Sequence, residues 1–109
     1  MPTDSEKNTF IVTVRRLINE NKIEILERRE KYIRTLALLG LVKDDVIFDI
    51  YSLTPTERWI VQQDDNPSFP GEVWICKKNL HGECIYIKLK VKESDGEVLL
   101  LMSYHIDWM

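Results

Sequence analysis

Two dipeptides in the second half of the chain, His81-Gly82 and Asp95-Gly96, do most to restrict its fold. Each has the composition of a tight β-hairpin turn. Around them lie three segments with the two-residue period of strands: Glu72 to Asn79, Cys84 to Lys92 and Val98 to Ile106. Strands joined by tight turns run antiparallel, so this half predicts a three-stranded meander.

The first half has a different period. Phe10, Ile11, Val14, Leu17 and Ile18 recur on one helix face, which predicts a helix from about Ser5 to Asn21. Ile23 to Leu26 reads as a short strand or as the lead into a second helix. That helix runs from Arg28 to Leu39, with Ile33, Leu36, Ala37 and Leu39 as its apolar set and Gly40 as a left-handed C-cap. A third helix, Lys43 to Ser52, carries Asp44 and Asp45 in its first turn, with Val46, Ile47, Ile50 and Tyr51 as its buried stripe. Thr54-Pro55-Thr56-Glu57 has the form of a capping box opening one more helical turn toward Trp59. Gln62 to Gly71 is polar, contains two prolines and reads as a loop. The order of elements predicts an α+β fold: N-terminal helices packed on a C-terminal antiparallel β-meander of about three strands. Residues 1–109 form a single domain in this reading, with the helical part over about 5–53 and the sheet over 72–106.

Composition narrows the class. The 109 residues are 44% hydrophobic and 30% charged, which is too apolar for a disordered chain. The longest nearly apolar stretch, Leu36 to Val42, is far short of the roughly 20 residues that span a bilayer. The polar start, Met1 to Asn8, lacks a secretory signal, and two cysteines make no disulfide framework, so a cytoplasmic protein with no membrane association is expected. The net charge of -3 argues against a nucleic-acid binder, yet its distribution is uneven. Residues 71–92 hold five Lys and two Glu, a local +3 on a chain that is otherwise -6. A basic strip on an acidic body can bind phosphate through its local field.

The two turns also fix a register. With Asp95-Gly96 as a two-residue turn, Ser94 pairs with Glu97, Leu89 with Met102, Ile87 with Tyr104 and Ile85 with Ile106. One face is then apolar, while the other pairs Lys88 with Ser103 and Tyr86 with His105. With His81-Gly82 as a two-residue turn, Trp74 and Cys76 join the apolar face, and Lys77 falls opposite Tyr86. Both turns give the same split. The second face gathers Lys77, Tyr86, Lys88, Ser103 and His105, with Lys90 further along. Alternating lysines also suit an ordinary solvated strand.

Phenol, imidazole and ammonium groups without paired carboxylates suit cleavage of RNA, which supplies its own 2′-hydroxyl nucleophile. His105 can act as acid or base near neutrality. Lys88 and Lys77 can neutralise phosphate charge in the transition state. Tyr86 can donate a proton or a hydrogen bond, or stack on a base. Ser103 and Lys90 would contact phosphate. Cys76 and Cys84 fall on opposite faces, and two His and two Cys give no zinc site, so neither a metal nor another cofactor is expected. Trp74 belongs in the core. Trp108, near the end, suits RNA stacking or a protein partner if exposed.

Three stretches carry a resemblance to a known family: "VRRLINENKI", "ALLGLVKDDVIFDIYSLT", and "EVWICKKNLHGECIYIKLKV" followed by "LLLMSYHI". From about Val12 to Ile106 the chain resembles the motility quorum-sensing regulator family of toxins, small bacterial ribonucleases of the RelE-like superfamily. The resemblance implies a RelE-like toxin fold, metal-independent cleavage of mRNA and neutralisation by a cognate antitoxin protein. The family's catalytic Tyr matches Tyr86. Its Lys after the final Ser-Phe matches His105. Its Gln after the strand Trp matches Ile75, and a further Lys falls on Ile60, with Arg58 as a nearby substitute that would contact RNA. One position is kept, one altered and two lost. The alternative is a non-catalytic protein- or RNA-interaction module on a toxin-like fold.

Overall fold

A computed structural model describes residues 1–93 and 95–109. The order of elements is α1 (Asp4–Asn19), β1 (Ile23–Ile25), α2 (Glu30–Leu39), α3 (Lys43–Tyr51), β2 (Ile60–Gln63), β3 (Glu72–Leu80), β4 (Glu83–Glu93) and β5 (Glu97–Ile106). The strands form one mixed five-stranded sheet in the order β1-β5-β4-β3-β2. The fold is therefore α+β, with the expected meander β3-β4-β5 at its centre. Two further strands flank it. β1 pairs parallel with β5, and β2 pairs antiparallel with β3 in a stretch that begins before the expected 62–71 loop and takes its first two residues. β2 is short and has no residue fully buried, so its sequence lacks the apolar alternation that marks a strand. No helix among the described residues is long and apolar enough to cross a membrane.

α1 starts at a reciprocal cap. The Thr3 hydroxyl accepts from the Glu6 amide at 3.1 Å, and the Glu6 carboxylate accepts from the Thr3 amide at 3.0 Å. Its buried face, Phe10, Ile11, Val14 and Leu17, packs on the sheet. Phe10 stacks on Trp74 with ring centroids 4.1 Å apart, and Trp59 meets both edge-on, so Trp59 and Trp74 are core residues. α2 ends at Gly40 in the left-handed region (φ 66), as its sequence predicts. Its buried residues are Tyr32 and Thr35, however, and Ile33 is 52% exposed. The difference is a rotation of the face. The Thr35 hydroxyl accepts from the Ile106 amide at 3.0 Å, so a polar residue occupies the core side to satisfy the edge of β5 beyond the end of β1.

α3 shows a similar departure. Val46 and Ile50 are buried as expected, but Asp49 is buried with them and Tyr51 is partly exposed. The Asp49 carboxylate accepts from the Tyr104 hydroxyl at 2.6 Å and bonds the His81 ring at 2.7 Å. One carboxylate thus joins α3 to β5 and to the β3-β4 turn. Burial, and then Asp49 itself, push the Tyr104 hydroxyl far above its ordinary range, so it stays a donor. After α3, Thr54 to Glu57 forms a hydrogen-bonded turn rather than a helix. The Glu57 carboxylate still accepts from the Thr54 amide at 3.0 Å and adds the Lys78 ammonium at 2.9 Å.

The register of β3 and β4 follows the His81-Gly82 turn. Leu80 pairs with Glu83, and both turn residues have positive φ (55 and 81). Between β4 and β5 the expectation holds only at the far end. Ile85 pairs with Ile106, Tyr86 with His105, Ile87 with Tyr104 and Lys88 with Ser103. Leu89 then pairs with Leu101, not Met102, because the register shifts by one residue between Lys88 and Leu89. Met102 is the extra residue of a β-bulge. The expected Ser94–Glu97 pair falls outside the described residues; Glu97 pairs with Glu93.

Two outcomes follow from these contacts. Tyr104→Phe removes a donor from a buried carboxylate and should cost about 1–3 kcal/mol in denaturant unfolding; an unchanged midpoint and slope would contradict the role assigned to Asp49. Burial alone would raise the Glu57 carboxyl, but the Lys78 ammonium and the Thr54 amide hold it below its ordinary value of 4.5. A depressed folded value contributes stability above the ordinary value and loses it as pH falls through the lower one. Glu57→Gln should therefore flatten part of the acid limb of the stability profile, read from thermal melts between pH 7 and pH 3.

Candidate functional site

The helices cover one side of the sheet, and Trp74, Cys76, Ile85, Ile87, Leu89, Leu101, Tyr104 and Ile106 all point into that core. Strand alternation then sends their neighbours to the other face. On it, Tyr86, Lys88, Ser103 and His105 are each half-buried, and Lys77 and Arg58 are exposed. The central pair is Tyr86 with His105. Their rings stack at 5.1 Å between centroids and 19° between planes. His105 Nδ1 lies 2.9 Å from the Ile106 carbonyl, an acceptor, so Nδ1 carries the proton of the neutral ring. Nε2 is left with the lone pair and has no protein partner among the described residues. A nitrogen in that state can accept a proton from a substrate hydroxyl.

The lysines of the strip differ in what holds them. Lys78 pairs with Glu57 at 2.9 Å, Lys92 with Glu24 at 2.7 Å and Lys77 with Asp107 at 3.3 Å. The Lys77 pair is exposed and therefore weak. Lys90 is only 4% exposed, although the sequence suggests an RNA-facing position. Its ammonium donates to Asp64 at 2.8 Å and to the Phe69 carbonyl at 2.9 Å, beneath the 64–71 loop. The Lys90 ammonium and the Asn66 amide hold the Asp64 carboxyl below its usual range. Lys90 therefore serves to pin that loop. Among the described residues, Lys88 is the lysine of residues 71–92 with no ion-pair partner, and it sits beside Ser103 and one step along β4 from Tyr86.

Two clefts flank the Tyr86–His105 stack. One, of about 620 Å³, has Arg58, Ile60, Ile75, Lys77 and Tyr86 on its walls. Arg58 thus shares a cleft with Tyr86. Ile60 and Ile75 are cross-strand partners on β2 and β3, so these two apolar residues stand together on the cleft wall. The other cleft, of about 440 Å³, has Arg29, Lys31, Ser103 and His105 on its walls. Nothing in the spacing of Arg29 and Lys31 points to this neighbourhood. It arises because α2 covers the edge of β5 where β1 stops.

The remaining sequence candidates take no part in the Tyr86–His105 cluster. Cys76 is buried on the core side, its thiol pushed up to about 12 mainly by burial, and Cys84 is a separate free thiol on the open face. His81 is tied to Asp49 and lies far along the hairpin from the stack. Trp108 is 68% exposed just beyond β5. No group of three or more His, Cys, Asp or Glu among the described residues is arranged to hold a metal ion. Comparison with protein-family models, with curated proteins and with solved structures finds no match to this chain.

Proposed function

We propose that the chain is a metal-independent endoribonuclease toxin with a RelE-like fold, similar to the motility quorum-sensing regulator family, acting on mRNA in the cytoplasm and held in check by a cognate antitoxin. The observation that carries this reading is the Tyr86–His105 stack on the open face, beside an unpaired Lys88.

In this reading His105 Nε2 takes the proton of the 2′-hydroxyl. The 2′-oxygen then bonds to phosphorus, and the phosphorus–5′-oxygen bond breaks. The Tyr86 hydroxyl protonates the departing 5′-oxygen; after release it regains a proton from solvent, and His105 gives up to solvent the proton it took, which restores both groups. The products are a 2′,3′-cyclic phosphate and a 5′-hydroxyl. Lys88, aided by Lys77 and Arg58, neutralises the charge that builds on the phosphorane, and Ser103 can hydrogen-bond a phosphate oxygen. DNA has no 2′-hydroxyl and is left intact.

One observation favours the second reading, a non-catalytic interaction module. Ile60 and Ile75 pair at the rim of the Arg58 cleft, where the family has polar groups, and neither can bond to a phosphate. A cleavage assay separates the two. The enzyme reading expects purified protein to cut single-stranded RNA with cyclic-phosphate ends and to spare DNA of the same sequence. His105→Ala should slow cleavage by about 10²–10⁴-fold, the usual range for loss of an acid or base. Tyr86→Phe should slow it as well. Intact RNA after long incubation with the unaltered chain would favour the module.

RNA affinity should fall steeply with salt. Lys88→Ala should lower the slope of log affinity against log salt by about 0.7, one single-strand phosphate contact. A slope unaffected by this substitution would remove Lys88 from the interface.

A further inference from the structure

We infer a second RNA subsite at the start of α2, formed by Arg29 and Lys31 with Phe69 beyond them, which grips a phosphate and a base next to the one being cleaved. The inference rests on the RNA reading of the open face and adds a direction for the strand across it.

Residues 28–34 carry Arg28, Arg29, Lys31 and Arg34 against the single carboxylate Glu30. All four cations are exposed, and none has an ion-pair partner among the described residues, unlike most lysines of the sheet. Such a cluster repels itself, and an anion relieves that repulsion. Two of the four, Arg29 and Lys31, stand across the 440 Å³ cleft from Ser103 and His105. A phosphodiester with one phosphate at His105 has its next phosphate within reach of that wall.

Arg29 also borders a second cleft, of about 340 Å³, which it shares with Phe69, Leu100 and Met102. Phe69 is 60% exposed, and the loop that carries it is fastened by Lys90 to Asp64 and to the Phe69 carbonyl. An apolar ring held on a tethered polar loop, next to an arginine, is the combination that single-stranded nucleic acid uses: a cation for the backbone and a ring face for a base. The path runs from the Tyr86–His105 stack, past Ser103 and Arg29, to Phe69. Met102, pushed out by the bulge, borders both clefts and forms the saddle between them. The ligand class is single-stranded RNA at least two nucleotides longer on this side than the cleaved step.

The test is fluorescence anisotropy with 2′-O-methyl RNA oligomers of two to eight nucleotides, which bind but cannot be cut. The unaltered protein should gain affinity with length up to the oligomer that reaches Phe69. The double variant Arg29→Ala, Lys31→Ala should lose that gain, roughly 10-fold at physiological salt, with a salt slope smaller by about 0.7 for the one phosphate contact. Phe69→Ala should weaken the longer oligomers and leave the slope unchanged. Arg34→Ala, which removes the same charge away from both clefts, should have a smaller effect than Arg29→Ala. Equal affinity and slope in the double variant, with Lys88→Ala still weakening binding, overturns the second subsite alone. If the unaltered protein holds no RNA of any length, the open-face reading falls with it.

Discussion

One extra residue in β5 decides which side chains meet on the open face. From Glu97 to Leu101 the strand pairs with β4 in a register that sends Leu99 and Leu101 into the core. Continued without change, that register would turn Ser103 and His105 inward and Tyr104 outward, because side chains alternate strictly along a strand. The bulge at Met102 reverses the alternation. Tyr104 enters the core and donates to Asp49, Ile106 follows it, and His105 comes out beside Tyr86. The same device therefore builds part of the core and the candidate site. Bulges are common next to functional sites for this reason: they re-aim a side chain without interrupting the sheet.

Asp49 holds that arrangement in place. A buried carboxylate is costly unless its lone pairs are used, and here Tyr104 and His81 use them. Through these two bonds α3 fixes both the inward half of β5 and the tip of the β3-β4 hairpin. Thr35 of α2 takes the Ile106 amide. β5 is thus held by two helices at the residues that flank His105, and the His105 ring is further fixed by its bond to the Ile106 carbonyl. A stacked pair held this firmly presents Nε2 in one direction.

Much of this was legible in the residues. The His81-Gly82 turn fixed the β3-β4 register outright, because a two-residue turn leaves no freedom in the pairing that follows. The Asp95-Gly96 turn led to the correct partners for Tyr86 and Lys88 by a different route. The connection is one residue longer than a two-residue turn requires, and the bulge takes up the difference before Lys88. Only the pairs near the turn, such as Leu89 with Leu101, depart from the simple reading. Residues that bond across long sequence separations were not legible. Nothing in the local pattern marks Asp49 or Thr35 for burial, and Lys90 reads like Lys88 until Asp64 is seen above it. Their partners lie 26 to 71 residues away, and no local pattern records them. β1 and β2 were weak signals for a related reason: each is a short edge strand whose place depends on its neighbour.

The most direct measurement is a crystal structure of the protein with a short RNA carrying a 2′-O-methyl group at the step to be cleaved. The expected result places that phosphate against the Tyr86 hydroxyl, the Lys88 ammonium and Nε2 of His105, with the chain of the RNA lying across β4 and β5. RNA seated on the helical side of the sheet, or on the open face with the Tyr86–His105 stack uncovered, would contradict the account.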